Sequence, residues 1–157
     1  MKNKPYIGLT GFKSVEDVGM VSDCISLTGL PDGYTAMFGI LTSRKRLAAL
    51  NMPGKRSPAV DDIERIVSTV PKNYLPMLHY FTPEEFAFEE DLSQLFEYAG
   101  CQNVQLNMSW PSPKSLEKLQ GKFSKMITTL QIPRKAVFGL TETQINNHLQ
   151  NYDGLVD

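Results

Sequence analysis

What this chain lacks limits its chemistry first. It has 2 cysteines, Cys24 and Cys101, far apart and without metal-ligand spacing. That excludes a disulfide framework and a zinc cluster, and predicts two reduced, largely buried thiols in a cytoplasmic protein. No stretch approaches the ~20 apolar residues of a membrane span. The basic start, Met1-Lys2-Asn3-Lys4-Pro5, leads into no apolar run of the signal-peptide kind. Charge of one sign is not in excess: 16 Lys and Arg meet 17 Asp and Glu, for a net charge of −1. Bulk electrostatics therefore point to no nucleic acid and no anionic membrane as partner. A Walker A loop, a GxGxxG run and a GxSxG elbow are all missing, which sets aside the chemistries those motifs carry. No cofactor and no metal is implied.

What is there is a cadence. The 157 residues, 41% of them hydrophobic, suit one domain with a sizeable core. A short apolar strand, a polar turn with Ser or Thr and a helix recur five times, and a sixth strand closes the sequence. Strand one is expected at residues 6–10. Ser14, with Asp17 three residues on, opens the first helix as a variant capping box. A turn at residues 29–33 precedes strand two, Thr35–Leu41. Ser57-Pro58 opens a helix whose stripe is Ile63, Ile66, Val67 and Val70. Strand three is Leu75–Phe81, with Pro76 near its start, where a missing donor is tolerated. Thr82-Pro83 then leads into Phe88, Leu92, Leu95, Phe96 and Ala99, and Gly100 stops that helix. Strand four is expected at residues 103–107. Ser112-Pro113 opens a helix carrying Leu116, Leu119, Phe123, Met126, Ile127 and Leu130. Strand five is placed at residues 135–140, a Thr141/Gln144 capping box starts a short fifth helix, and strand six is placed at residues 153–157.

Regular strand–helix alternation predicts a parallel α/β fold. The expectation is a (β/α)8 TIM barrel recorded only through about strand six: one domain, residues 1–157, without its last two β/α units. An open parallel sheet is the alternative. Six units of a barrel would leave two strand edges unpaired, which invites aggregation or a homodimer.

Either architecture puts chemistry at the C-terminal ends of the strands. That nominates Thr10 and Gly11, residues 42–56, residues 80–82, residues 107–110, residues 139–141 and Asp157. A carboxylate ending a strand, Asp157, is placed for general acid or base work, and reads equally as a solvated terminal residue or a helix cap. The connection from 42 to 56 is long for a βα loop. It carries Arg44, Lys45, Arg46, Lys55 and Arg56, which read either as a clamp for a carboxylate or phosphate or as a solvated basic surface. Of these, Arg56 stands just before a helix start. His79, inside strand three, reads as a hydrogen-bonded core residue. Asn107 and Trp110 could bond and stack a flat ring.

These residues carry a resemblance. The first strand, Tyr6-Ile7-Gly8-Leu9-Thr10, is followed by the Asp-bearing helix of Ser14-Val15-Glu16-Asp17-Val18. Pro53-Gly54-Lys55-Arg56-Ser57-Pro58 forms a second βα loop, Val104-Gln105-Leu106-Asn107 a fourth strand, and Asp157 an acid ending a sixth. In order and spacing the chain resembles phosphoribosylanthranilate isomerase, the (β/α)8 enzyme of tryptophan biosynthesis, an amino-acid biosynthetic route. The resemblance implies an aldose–ketose (Amadori) isomerisation of a phosphorylated sugar adduct, without a cofactor. It casts Asp157 as the acid and Arg56 as holder of the anthranilate carboxylate; Thr10 and Asn107, nominated by their strand-end positions, are expected to bind substrate. The family's base is a first-strand Cys, and the matching position here is Ile7. The family's strand-four His is Asn107, and its phosphate binds after strands seven and eight. Loss of a base costs on the order of 10²–10⁴-fold in rate. A catalytically inactive relative that binds an anionic phosphorylated small molecule is therefore the alternative, and an open-sheet interaction domain a third.

Overall fold

The computed structural model describes residues 5–42, 60–81, 88–107, 111–124, 126–131 and 138–156. Among them five parallel strands form one sheet in chain order: β1 (Tyr6–Phe12), β2 (Thr35–Leu41), β3 (Leu75–Phe81), β4 (Val104–Asn107) and β5 (Thr128–Leu130). The helices are α1 (Val15–Thr28), α2 (Val60–Thr69), α3 (Phe88–Ala99), α4 (Pro113–Lys122) and α5 (Glu142–Gln150).

Local chemistry sets these boundaries. Asp17 N–H donates to Ser14 Oγ at 3.1 Å, and the Asp17 carboxylate accepts from the Ser14 and Lys13 amides at 3.1 and 2.9 Å. This capping box satisfies amides that the first helical turn cannot pair internally, so α1 starts two residues past β1. Gly100 (φ +62°) ends α3 with its amide on the Phe96 carbonyl at 3.1 Å, in a conformation that favours glycine. The expected Ser57-Pro58 and Thr82-Pro83 helix starts lie outside the described residues.

One face of the sheet is covered by helices. Ile40, Leu78 and Val104 are register partners across β2, β3 and β4, and all are fully buried. Around β1 and β2, Phe12, Ala36, Phe38 and Ile40 pack with Val18, Ile25, Ile66 and Val70. Around β3 and β4, Leu78, Val104 and Leu106 pack with Ile63, Leu92, Phe96, Leu116 and Leu119. Most of the stripe residues read from helical spacing on α1 to α4 are thus buried, whereas α5 buries none of its residues. Sequential strand order with these helices on a single face is the wall of a β/α barrel; a doubly wound sheet reverses its order at a switch point and carries helices on both faces. The barrel is not closed among the described residues.

Two strands differ from expectation. Among the described residues the fifth sheet position is taken by Thr128–Leu130; of the strand expected at residues 135–140, residues 135–137 lie outside the described residues and residues 138–140 lie in a turn and coil, with Gly139 at φ +84° and Phe138 exposed. The apolar run from Leu116 to Leu130 keeps helical spacing, which disguises the change. The helix instead stops where the Phe123 amide bonds Leu119 O at 2.7 Å. The β-branched Ile127-Thr128-Thr129 then pairs with β4, as such residues favour a pleated surface. The sixth strand is not found in described residues 153–156. They continue as turns after α5, with Leu155 N–H on Tyr152 O at 3.0 Å and Gly154 at φ +75°. Gln120 Nε2 donates to Leu155 O at 2.9 Å and Tyr152 Oη to Pro111 O at 2.8 Å, which docks this segment on α4. Cys101 is buried as expected, but Cys24 is exposed.

Candidate functional site

The face of the sheet that no described helix covers is itself partly packed, with Met77 and His79 buried on it, and its C-terminal rim is where a β/α barrel does its chemistry. Strand register assigns its residues in rows. Gly8, Met37 and Leu75 are neighbours; then Thr10, Gly39 and Met77; then Leu41, His79, Gln105 and Thr129.

A bulge shapes the first strand's end. Thr10 partners Gly39 but Phe12 partners Ile40, so Gly11 is the extra residue, at φ +101°. Skipping one residue turns Phe12 to the helix side, where it stacks on Phe38 with ring centroids 4.9 Å apart. Thr10 is left as the last side chain of β1 on the uncovered face, and it is exposed. Ile7, by contrast, partners Ala36, a residue of the helix-side core, so it does not project from the face that carries Thr10. The end of β2 is pinned to β3 by Thr42, whose amide and hydroxyl both donate to the His79 carbonyl, at 3.2 and 2.9 Å.

His79 is the unexpected group. It is only 3% exposed, and its ring lies over Gly39: a Cβ built there would stand 2.4 Å from Nε2. Only glycine leaves room for that approach. Nε2 is buried without a hydrogen-bond partner, contrary to the hydrogen-bonded core histidine expected from sequence. Burial away from water disfavours the imidazolium and lowers the pKa from 6.5 to about 4. The signal available in the sequence was Gly39 itself, a glycine inside an otherwise apolar strand, which marks close approach of another group.

The other nominated residues are placed as follows. Asn107 ends β4 opposite Phe81. Gly139 lies in a turn at φ +84°, with residues 132–137 before it outside the described residues, and Thr141 caps α5, its hydroxyl accepting from the Gln144 amide at 3.3 Å. Tyr80 packs on the helix side. Arg56, Asp157, Trp110 and the basic residues Arg44, Lys45, Arg46 and Lys55 lie outside the described residues. Thr10 and His79 are therefore brought to one face, on either side of Gly39. No cluster of three or more His, Cys, Asp or Glu side chains that could hold a metal ion occurs among the described residues.

No family model matches the chain, and no curated protein matches it. Solved structures do. The fold is similar to N-(5'-phosphoribosyl)anthranilate isomerase from Pyrococcus furiosus, at 14% identity over 98% of this chain and 63% of that one, with a TM-score of 0.61. It is similar to phosphoribosyl anthranilate isomerase from Thermus thermophilus, at 18% identity over 82% of this chain and 52% of that one, with a TM-score of 0.54. A third such isomerase, solved in complex with reduced 1-(o-carboxyphenylamino)-1-deoxyribulose 5-phosphate, is 15% identical over 96% of this chain and 61% of its own, with a TM-score of 0.57. The α/β fold of this chain is that of the phosphoribosyl anthranilate isomerase barrel, and it spans between half and two thirds of those chains' lengths.

Proposed function

We propose that this chain belongs to a protein that binds a phosphorylated sugar adduct at the C-terminal rim of its strands and isomerises it from aldose to ketose by an Amadori rearrangement. The observation that carries this reading is the shared barrel wall, together with the phosphorylated ligand analogue bound in one structure of the same fold. Asp157 serves as general acid, and Arg56 holds the ligand's carboxylate bidentately. Thr10 and Asn107, at the ends of β1 and β4, hydrogen-bond the substrate.

A second reading is favoured by the position of the cysteines. Cys24 is exposed on α1, and Cys101 is buried with its thiol directed at the Pro76 carbonyl, 3.5 Å away. Neither lies in β1, the strand in which the isomerase base would stand. A relative that keeps the pocket for an anionic phosphorylated molecule but not the turnover fits that absence.

One experiment separates the two. Phosphoribosylanthranilate is supplied and ketose product measured, with Asp157→Asn and Arg56→Ala alongside. Turnover that Asp157→Asn abolishes, and whose KM Arg56→Ala raises, supports the isomerase. Thermal stabilisation by the ligand without product supports the inactive binder. Neither turnover nor stabilisation removes both.

A further inference from the structure

Among the described residues the sheet ends at β1 on one side and at β5 on the other, and the two edges are not alike. β5 offers three residues, Thr128–Leu130, and β1 offers seven, Tyr6–Phe12. Natural edge strands are blunted by charge, by proline or by being short. β1 has no charged residue and no proline from Tyr6 to Phe12, and its ladder runs unbroken up to the bulge at Gly11. Peptide groups face alternate sides along a strand. The Pro5 carbonyl accepts from the Thr35 amide at 3.1 Å, so it faces β2. The N–H and C=O of Tyr6, Gly8 and Thr10 therefore face outward, with no strand beside them among the described residues.

The helix above this edge has an uncovered side as well. α1 packs Val18 and Ile25 with Phe12, Ala36 and Phe38, so it lies over β1 and β2. Parallel strands are joined by right-handed crossovers, and successive helical residues are turned by about 100°. Ser22, whose Oγ is buried, thus lies on the flank toward α2. Val21, Cys24 and Thr28 lie on the flank over the β1 edge. Cys24 and Thr28 are exposed, and beside them Met20 is 69% and Leu27 88% exposed. The edge and this flank also share a level. Gly8 stands four residues before Phe12, roughly 13 Å along the strand. α1 starts back from that end at Val15 and covers the same length in about nine residues, which reaches Cys24.

We propose that the β1 edge and the adjoining flank of α1 are the docking surface for a second copy of this chain, paired about a two-fold axis that passes by Gly8 and Cys24. The axis is normal to the sheet, so the two β1 strands run antiparallel and both α1 helices stay on one side. Tyr6 then pairs with Thr10 of the partner subunit, and Gly8 with Gly8 of the partner subunit, which satisfies the outward peptide groups. α1 stands over the gap between β1 and β2. The two helices therefore lie about two strand spacings apart, roughly 10 Å, which is the separation at which helices pack. Val21 meets Leu27 of the partner subunit, and Cys24 meets Cys24 of the partner subunit. The acidic Glu16 and Asp17 are in the first turn of α1, at the far ends of the helix pair, and Asp23 is turned to its outer side. Like charges thus do not face each other across the axis. A foreign strand could pair with the edge alone; edge and helix flank centred on one level is what identical copies require. The proposal does not rest on the sugar-adduct reading.

Sedimentation equilibrium of the full chain is expected to show monomer and dimer in exchange. A monomer at every concentration would mean that the chain covers this edge itself, and it overturns the proposal. Growth into longer oligomers, the mark of head-to-tail contacts, also overturns it. Cys101 is buried, so Cys24 is the thiol open to reagents. A short bismaleimide, which adds one thiol at each end, is expected to link two native chains and to leave Cys24→Ser unlinked. A dimer that the reagent does not link is built on another surface and overturns the proposal. Cys24→Lys sets two like charges across the axis and is expected to weaken dimerisation about tenfold or more, while melting with the parent because the site is exposed. Tyr98→Lys, at a residue of α3 that is 60% exposed, is the control and should leave the dimer as it was. Equal dimerisation constants for these two variants would overturn the proposal.

Discussion

The two faces of this sheet are built on opposite rules. On the helix side Ala36, Phe38, Ile40, Leu78, Val104 and Leu106 are buried with no exposed surface at all, and nothing among them is polar. On the other side the strands carry two glycines, Gly8 and Gly39, and the polar Thr10, His79, Gln105 and Thr129, beside the apolar Met37, Leu41, Leu75 and Met77. One face is filled for packing density. The other alternates large side chains with glycines beneath them: Met37 reaches over Gly8, where a Cβ would meet its Cε at 3.3 Å, and His79 over Gly39. The difference teaches that strand alternation keeps a wholly apolar packing surface under the helices apart from a face that mixes glycines, polar groups and apolar side chains.

The most severe way to break that division is to hollow the helix side. Phe38 is fully buried and stacks between Phe12, at 4.9 Å, and Tyr74, at 5.7 Å. Phe38→Ala should destabilise the fold by about 3–5 kcal/mol, the cost of removing a large core ring and leaving a cavity. Urea denaturation measures it. A loss well below that range would mean that this face does not carry the core.

The next largest effect comes from the uncovered face, and it depends on pH. The imidazole of His79 titrates at about 4 in the folded chain, against an ordinary 6.5. Between those values the unfolded chain binds a proton that the folded one does not, so stability rises with pH there. The contribution is fully present above pH 6.5, is lost as pH falls toward 4, and amounts to about 3 kcal/mol across that window. Carboxylates also titrate near its lower end, so the comparison is made against His79→Leu. The difference in unfolding free energy between the two proteins should shift by that amount between pH 7 and pH 4. A parallel pair of curves would show that His79 is solvated.

Much of the helix side was legible in the sequence, for a physical reason. Burial against a helix demands apolar residues at two fixed periods, and caps such as Ser14 with Asp17 mark where those periods start. Strands Thr35–Leu41 and Leu75–Phe81 could be read residue by residue on that basis. The exchange of helix for strand near Ile127 was not legible. Apolar residues at Phe123, Met126, Ile127 and Leu130 satisfy a helical period as well as they satisfy a turn followed by a short strand, and only pairing with β4 decides between them. Three consecutive residues, Ile127, Thr128 and Thr129, are β-branched, a local hint that the longer period overrode. At the end of the chain, Leu155 and Val156 looked like a strand because they are apolar, yet they pack against the core from a turn. Of the nominated site, Thr10 alone combines a described, exposed side chain with a place on the uncovered face. His79 escaped because neither its ring direction nor the Gly39 beneath it can be paired from sequence without knowing the register.

A smaller effect tests how tightly that ring is seated. Gly39→Ala places a Cβ 2.4 Å from His79 Nε2 and 2.8 and 2.9 Å from its ring carbons, so the imidazole must move. Overpacking of this kind costs about 1–3 kcal/mol. Gly8→Ala is the matched control, since its Cβ would meet only the flexible end of Met37. Equal melting temperatures for the two variants would show that the ring over Gly39 is free to swing away.

The smallest effect on stability should accompany a measurable effect on recognition, and it is found at Thr10. Its side chain is exposed at the end of β1, it belongs to neither buried cluster, and Thr10→Val keeps its shape while removing only the hydroxyl. Surface changes of this sort stay within about 0.5 kcal/mol of the parent. Loss of one hydrogen bond to a ligand, however, weakens affinity by a factor of about 2–10. Thr10→Val should therefore melt with the parent while binding reduced 1-(o-carboxyphenylamino)-1-deoxyribulose 5-phosphate more weakly, as calorimetry can measure. The same substitution on the other face would show the reverse pattern, since a buried side chain there contributes to packing and touches no ligand. Unchanged affinity with a lowered melting point at Thr10 would place it with the core and dissolve the division between the faces.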